Sequence, residues 1–327
     1  MRHAFIALVA LGLALHGAQP ATAQTVWEMP TEYPASAIPG EGVATFAKLV
    51  NERSGGRLTI QPSFDAAKGI KSAGMIAAVQ EGKVAAGDAF AGALGSVHPL
   101  FGLSSLPFLA TSIEDAKRLT DLARPAYEKV LASYGQRILY TTPWPASGIW
   151  SKDAVTSAKD LAGLSIRTYD ATSTAVLNGA GAKATNLSFA DAMPKLKEGS
   201  VNAVLSSGDG GAGRNLWQFL PHFTEVNYAL PISLATMNLA AYEALPADLK
   251  AIVDTAAAET DQRQWSAIRT RLAENYKRMR DNGVVIRTEV SPDVAQALAA
   301  AGKTAVEDWR GKVGPDGSAV LDSFLKR

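Results

Sequence analysis

An amphipathic helix, a glycine and a short apolar strand follow one another repeatedly along this chain, and that order admits few folds. Val43, Phe46, Ala47 and Val50 recur at helical spacing, the run stops at Ser54-Gly55-Gly56, and Leu58-Thr59-Ile60 follows as a strand. With Thr25 to Met29 as the preceding strand, this is a βαβ unit. Met75 to Gln80 reads as a second helix, stopped at Gly82 before the strand Val84-Ala85-Ala86. Ser112, with Asp115 three residues on, resembles the cap of a helix that breaks at Pro125, and a further helix to Tyr134 ends at Gly135 before the strand Arg137 to Tyr140. Such alternation predicts parallel sheets with helices on both faces.

The order then starts again. Leu164 to Tyr169 reads as a strand, Thr172 to Asn178 as a helix, Ala184-Thr185 as a short strand, Ser188 to Glu198 as a helix and Val201 to Leu205 as a strand. Gln80-Glu81-Gly82-Lys83-Val84-Ala85-Ala86 is echoed by Lys197-Glu198-Gly199-Ser200-Val201-Asn202-Ala203, through duplication or through shared helix-stop chemistry. Two lobes are therefore expected. From Pro246 to about Asn282 one helical pattern runs roughly 50 Å at 1.5 Å per residue, longer than a small domain is wide. Its stripe of Trp265, Ile268, Leu272 and Tyr276 argues that it bridges the lobes.

Arg2 and His3 precede an apolar run from Ala4 to Leu15, and Ala21-Thr22-Ala23 is a small-x-small cleavage site, so residues 1–23 read as a signal peptide with Gln24 the first mature residue. The run is too short to span a bilayer. Export without cysteine fits a bacterial periplasm, and it removes thiol nucleophiles, disulfides and thiolate metal sites together. The chain carries 32 Lys+Arg against 31 Asp+Glu. That balance offers no broad attraction to nucleic acid or to anionic membranes, and no direct membrane insertion is expected.

Few catalytic constellations are available. Gly208-Asp209-Gly210-Gly211-Ala212-Gly213 has the letters GxGxxG, but no acidic residue stands about twenty positions on to hold a ribose, so it reads as a flexible loop lining a cleft or turning away from it. There is no GxSxG elbow and no HExxH, and only His98 and His222 remain in the mature chain as possible bases. No cofactor and no metal are expected. An exported hydrolase or lyase on a two-lobe scaffold is the alternative to a binding protein.

Arg167 closes Leu164-Ser165-Ile166-Arg167, at the carboxyl end of a central strand, where open α/β sheets bind ligands. It either pairs with Asp170 or another acid, or holds a ligand carboxylate through two parallel bonds. The chain resembles the DctP-type solute-binding proteins of TRAP (tripartite ATP-independent periplasmic) transporters. The resemblance rests on the Ser-Gly-Gly-Arg-Leu turn after Phe46, Val79-Gln80-Glu81-Gly82, Leu106-Pro107-Phe108-Leu109, Lys159 to Arg167, Lys197 to Ala203, and Ala244-Leu245-Pro246-Ala247-Asp248.

That resemblance implies a two-lobe α/β periplasmic binding protein fold, type II-like, each lobe a sheet flanked by helices, with one long helix bridging both. Lobe I would hold 24–147 plus 234–278, and lobe II 148–233 plus 279–327, with hinges near Pro145 to Gly148 and Leu230 to Ser233. The implied function is capture of a small organic carboxylate for a TRAP membrane permease, with Arg167 as the carboxylate clamp. Where many members carry another Arg two residues after Gly148, this chain has Trp150, and Pro194 falls within a helix the family leaves unbroken. With one clamping arginine, a monocarboxylate is favoured over a dicarboxylate, because an unpaired buried carboxylate costs several kcal/mol. Trp150, Phe90 and Trp144 are candidate walls, and Tyr33, Ser206, Ser207 and Asn238 candidate hydrogen-bonding groups. Asp209 is a further candidate ligand contact, and Lys68 a possible second cation.

Overall fold

The computed structural model describes residues 24–326, so the expected signal peptide lies outside the described residues. The first part of the chain runs β1 (Thr25–Pro30), α1 (Ile38–Arg53), β2 (Leu58–Ser63), α2 (Met75–Gln80), β3 (Ala86–Phe90), α3 (Ile113–Ala132) and β4 (Gln136–Pro143). Then follow β5 (Ser147–Ser151), α4 (Ala158–Leu161), β6 (Ser165–Thr168), α5 (Ala171–Gly179), β7 (Lys183–Asn186), α6 (Phe189–Lys197), β8 (Ala203–Ser207), α7 (Gly208–Gly213) and β9 (His222–Thr224). The chain closes with β10 (Ile232–Asn238), α8 (Leu239–Glu243), α9 (Ala247–Asp281), β11 (Val285–Arg287) and α10 (Pro292–Leu325).

Two lobes are built, the first on a two-stranded and a three-stranded sheet and the second on a six-stranded sheet. In the first, β1 and β2 pair in parallel, a bridge from Thr31 to Asp88 joins β1 to β3, and the order continues β3-β10-β4. The second has the order β11-β9-β5-β8-β6-β7. In each, a βαβαβ run supplies parallel strands, and the antiparallel neighbour arrives from the other lobe: β10 beside β3, and β5 beside β8. The sheets are thus mixed rather than purely parallel, because each lobe borrows one strand. The repeated helix-end segment sits at the same topological place in both lobes, with Gly82 (φ 69°) and Gly199 (φ 76°) in the left-handed conformation that ends α2 and α6.

The crossing segments, 144–146 and 225–231, are tied to each other. Trp144 N donates to the Pro231 carbonyl, Ser147 N to Ala229, and Tyr228 N to Ser147, each at 2.9 Å. α9 crosses beside them. Its Val253, Ala256 and Ala257 pack with α1 and β2, Trp265 packs with α3, and Ile268 and Met279 enter the core of the second lobe. α10 crosses too: Val294, Leu298 and Ala305 join the second core, whereas Trp309, Val313, Leu321 and Phe324 join the first. The stretch 309–324, which the expected division gave to lobe II, is anchored in lobe I by Trp309 Nε1 donating to the Pro99 carbonyl at 2.8 Å and Arg118 Nη1 donating to the Phe324 carbonyl at 2.9 Å.

Two local readings change, at Pro125 and at Gly208–Gly213. α3 runs through Pro125 because the missing N–H costs one bond, while Leu119, Ala123, Tyr127 and Leu131 keep a continuous buried face. α6, expected over Ser188 to Glu198, forms there and also runs through its Pro194. Gly208–Gly213 is a helix, not a flexible loop, although glycine disfavours helices. Tertiary contact requires it: a Cβ on Gly210 would stand 2.4 Å from Ser206 Oγ, and one on Gly211 2.2 Å from the Trp150 ring.

Candidate functional site

The lobes face each other across a narrow recess, about 300 Å³ including open solvent, at the carboxyl ends of β6 and β8. Tyr33 and Phe90 line it from the first lobe, Trp144 and Pro231 from the crossing segments, and Ser147, Arg167, Tyr169, Phe189, Ser206 and Ser207 from the second lobe. It shares Tyr33, Phe90, Arg167 and Tyr169 with a wider space between the lobes, about 1500 Å³ including open solvent, which reaches Glu32, Lys71, Asp170, Trp309 and Lys312.

Arg167 is the chemical centre of the recess. Only 4% of it is exposed, its Nε donates to the Leu187 carbonyl at 2.7 Å, and Nη1 donates to the Leu205 carbonyl at 3.4 Å. Its guanidinium carbon stands 4.1 Å from the centroid of the Phe189 ring. Among the described residues no carboxylate lies within 4.0 Å of it, so the sequence alternative of a pair with Asp170 is not formed. Burial pulls its pKa below the usual arginine range, opposed by Tyr33 and Glu32, yet an arginine remains a cation in protein surroundings. A buried cation held by two carbonyls, with no carboxylate in contact, can take an anion at its remaining N–H groups.

Aromatic rings enclose that cation. Tyr33 meets Trp144 edge-on at 4.7 Å, and Phe90 meets Tyr169 edge-on at 5.0 Å. Trp144 Nε1 donates to Ser233 Oγ at 3.1 Å, and the Tyr169 hydroxyl donates to Ser147 Oγ at 3.3 Å. Burial raises both tyrosine pKa values, with Glu32 adding to the rise at Tyr33 and Asp170 at Tyr169, so the phenols stay neutral donors. Ser207 Oγ accepts from Gly210 N at 3.1 Å, which caps α7.

The recess brings together Tyr33, Phe90, Trp144, Arg167, Ser206 and Ser207 from the sequence candidates. The others lie elsewhere. Trp150 is fully buried behind the recess, 5.2 Å from Phe223, with Nε1 donating to the Ser207 carbonyl. Strand alternation explains it: Gly148 and Trp150 share the face toward Phe223, while Ser147 takes the face toward the recess. Position 150 therefore carries no information about a second anion site. Asn238 caps α8 by accepting from Ala241 N and donates to the Val79 carbonyl. Lys68 pairs at the surface with Glu28. Asp209 accepts from Ile38 N and from Asn275 Nδ2, each at 2.9 Å, on the seam between α7, α1 and α9.

Ser147, Tyr169, Phe189 and Pro231 were absent from the sequence candidates. Tyr169 carried a usable signal, since it follows Arg167 by two residues and so shares its strand face. The contacts that hold the lobes together carried none. Lys71 Nζ reaches both oxygens of Asp191 at 2.8 Å, and Arg214 Nη2 donates to the Glu32 carbonyl at 2.8 Å while Nη1 stands 3.3 Å from Asp65. His98 and His222 sit apart, the first accepting from Leu100 N and the second in β9. Among the described residues no group of three or more His, Cys, Asp or Glu side chains is placed to hold a metal, and no helix is long and apolar enough to cross a membrane.

The model of the DctP family, bacterial extracellular solute-binding protein family 7, matches residues 30–312. A solute-binding protein of Verminephrobacter eiseniae is 27% identical over 242 residues, which cover 72% of this chain and 71% of that protein. The crystal structure of DctP7, a Bordetella pertussis extracytoplasmic solute receptor binding pyroglutamic acid, matches with a TM-score of 0.88 at 29% identity, covering 92% of this chain and all of that one. A marine metagenome TRAP solute-binding protein specific for pyroglutamate matches with a TM-score of 0.87 at 30% identity, covering 93% of this chain and 99% of that one.

Proposed function

The chain belongs to the DctP family of bacterial extracellular solute-binding proteins, and from that premise we propose that it captures a small monocarboxylate of the pyroglutamate type between its lobes in the periplasm and presents it to a TRAP membrane permease. The observation that carries this reading is Arg167, a buried cation with no protein carboxylate beside it. The ligand carboxylate takes the free guanidinium edge, and the Tyr33, Trp144, Phe90 and Tyr169 rings supply flat walls for a compact ring or chain. Ser206 and Ser207 are at hand for a keto, hydroxyl or lactam group. The relatives that bind pyroglutamate support this size and charge. The ligand is released unchanged.

A thermal-shift screen of the protein lacking residues 1–23 against an organic-acid library tests it. A ligand at a hundred times its Kd stabilises by roughly 2.7 kcal/mol, and pyroglutamate or a close relative is expected to give the largest shift. A screen in which no carboxylate raises the melting temperature would contradict the reading.

A further inference from the structure

We propose that Glu32 sets the charge of the ligand this cleft accepts, its fixed carboxylate opposing the entry of a second ligand charge beside Arg167. The proposal rests on the cleft binding a carboxylate at Arg167. Glu32 directly precedes Tyr33 and is 4% exposed. Its Oε2 accepts from Ser72 N at 2.9 Å in the first lobe, and its Oε1 accepts from Phe189 N at 3.1 Å, in the first turn of α6 in the second lobe. Among the described residues no lysine or arginine nitrogen lies within 4.0 Å of this carboxylate. Two backbone amides, one of them at a helix N-terminus, hold it in place of a cation.

Glu32 lines the same interlobe space as Arg167, and its charge acts on the Arg167 guanidinium. One buried cation and one buried anion thus face the ligand space. A monocarboxylate places its single charge at Arg167. A dicarboxylate of similar size must bury its second charge near Glu32, where the remaining cations are poorly placed to compensate. Arg214, 5.1 Å from the Phe189 ring, is committed to the Glu32 backbone carbonyl and to Asp65 and is not among the residues lining the space. Lys71 is already paired with Asp191, and Lys312 is exposed on α10 at the mouth, where water screens it. Specificity of this kind comes from repulsion of the wrong ligand as much as from attraction of the right one. The same carboxylate joins the lobes, so its loss also weakens closure, but that affects every ligand equally.

The ratio of Kd values for succinate and pyroglutamate separates the two roles. In Glu32→Gln the ratio is expected to fall about tenfold or more relative to wild type. In Glu32→Asp, which keeps the charge but is too short to reach both amides, both affinities are expected to drop while the ratio stays at the wild-type value. If Glu32→Gln does not fold, Glu32→Ala is read against the same two probes, with the same expected fall. A wild-type ratio in the charge-removing variant would overturn the role of Glu32 while leaving carboxylate binding intact. Failure of wild-type protein to bind either probe would overturn the cleft reading and this proposal with it.

Discussion

Phe189 lies against Arg167, its ring centroid 4.1 Å from the guanidinium carbon, while the Leu187 carbonyl two residues earlier in the chain accepts the Arg167 Nε–H. One short segment therefore aims the cation from two sides. Desolvated contacts of a cation with an aromatic face are worth up to about 2 kcal/mol. Phe189→Leu is expected to weaken ligand binding by about 1 kcal/mol, roughly fivefold, by loosening Arg167. Phe189→Tyr keeps the ring face and is expected to stay near wild type. Calorimetry on both variants checks the pair.

Ligand affinity is expected to rise as pH falls from 7.5 to 5. Asp170 caps α5, and its Oδ1 accepts from Ser173 N and Ser173 Oγ, each at 2.7 Å. Its Oδ2 has no hydrogen-bond partner and faces Gly92 of the opposite lobe, close enough that a Cβ on Gly92 would stand 2.7 Å away. Burial pushes its pKa up to about 6, opposed by the Ser173 bonds, by Ser105 and by Arg167. The ionisable groups around it are Arg167 and Tyr169 on and beside β6 and Tyr228 on the crossing segment. Opening the cleft returns Oδ2 to water, so the closed form holds the proton more tightly. Closure gains as pH falls and loses that gain as pH rises through about 6. Asp170→Asn preserves the cap and is expected to flatten the pH dependence. Identical pH profiles for wild type and variant would refute the linkage.

Fold stability carries a separate pH signature from Asp88. It is fully buried on β3, where Thr31 donates to its Oδ1 at 2.9 Å and its Oδ2 has no hydrogen-bond partner. Burial pushes its pKa up to about 7 from 3.8, opposed by the Thr31 bond. A folded-state pKa above the unfolded one favours the protonated form, so this contribution is fully present below about pH 4 and lost as pH rises through about 7. The rise corresponds to roughly 4 kcal/mol at most. Asp88→Asn is expected to unfold later than wild type in urea at pH 8.5, with the difference shrinking toward pH 4. A difference that does not change with pH would contradict the assignment.

Closure is expected to work at the paired crossings 144–146 and 225–231. The Trp144 ring lies in the recess with Tyr33 edge-on to it. A saturating ligand should therefore change tryptophan emission and reduce the radius of gyration in small-angle scattering. A changed emission with no change in radius would place the ligand in the recess without hinge closure.

Much of the architecture was legible because it rests on local chemistry. The glycine stops after α2 and α6 and the Ser112 cap reflect interactions within a few residues, and of the α9 stripe Trp265 and Ile268 are buried in the two cores while Leu272 is exposed. Arg167 was legible for a related reason, as a charged group at the end of an apolar strand. Trp150 misled because aromatic character says nothing about which face of β5 it occupies, and that face is set by Phe223, far along the chain. Gly208–Gly213 misled because packing against Trp150 and Ser206 leaves no room for side chains, so this helix is written in the residue that disfavours helices. Glu32 left no trace at all, since its meaning comes from backbone amides at residues 72 and 189.

The most direct measurement is a calorimetric titration of the protein lacking residues 1–23 with pyroglutamate and with succinate, for wild type and for Arg167→Ala. The expected result is one-to-one binding of pyroglutamate by wild type, weaker binding of succinate, and a loss of about thirtyfold or more, roughly 2 kcal/mol, in the variant. Equal pyroglutamate affinity in wild type and Arg167→Ala, or tightest binding by succinate, would contradict the claim that one buried arginine selects and holds a monocarboxylate.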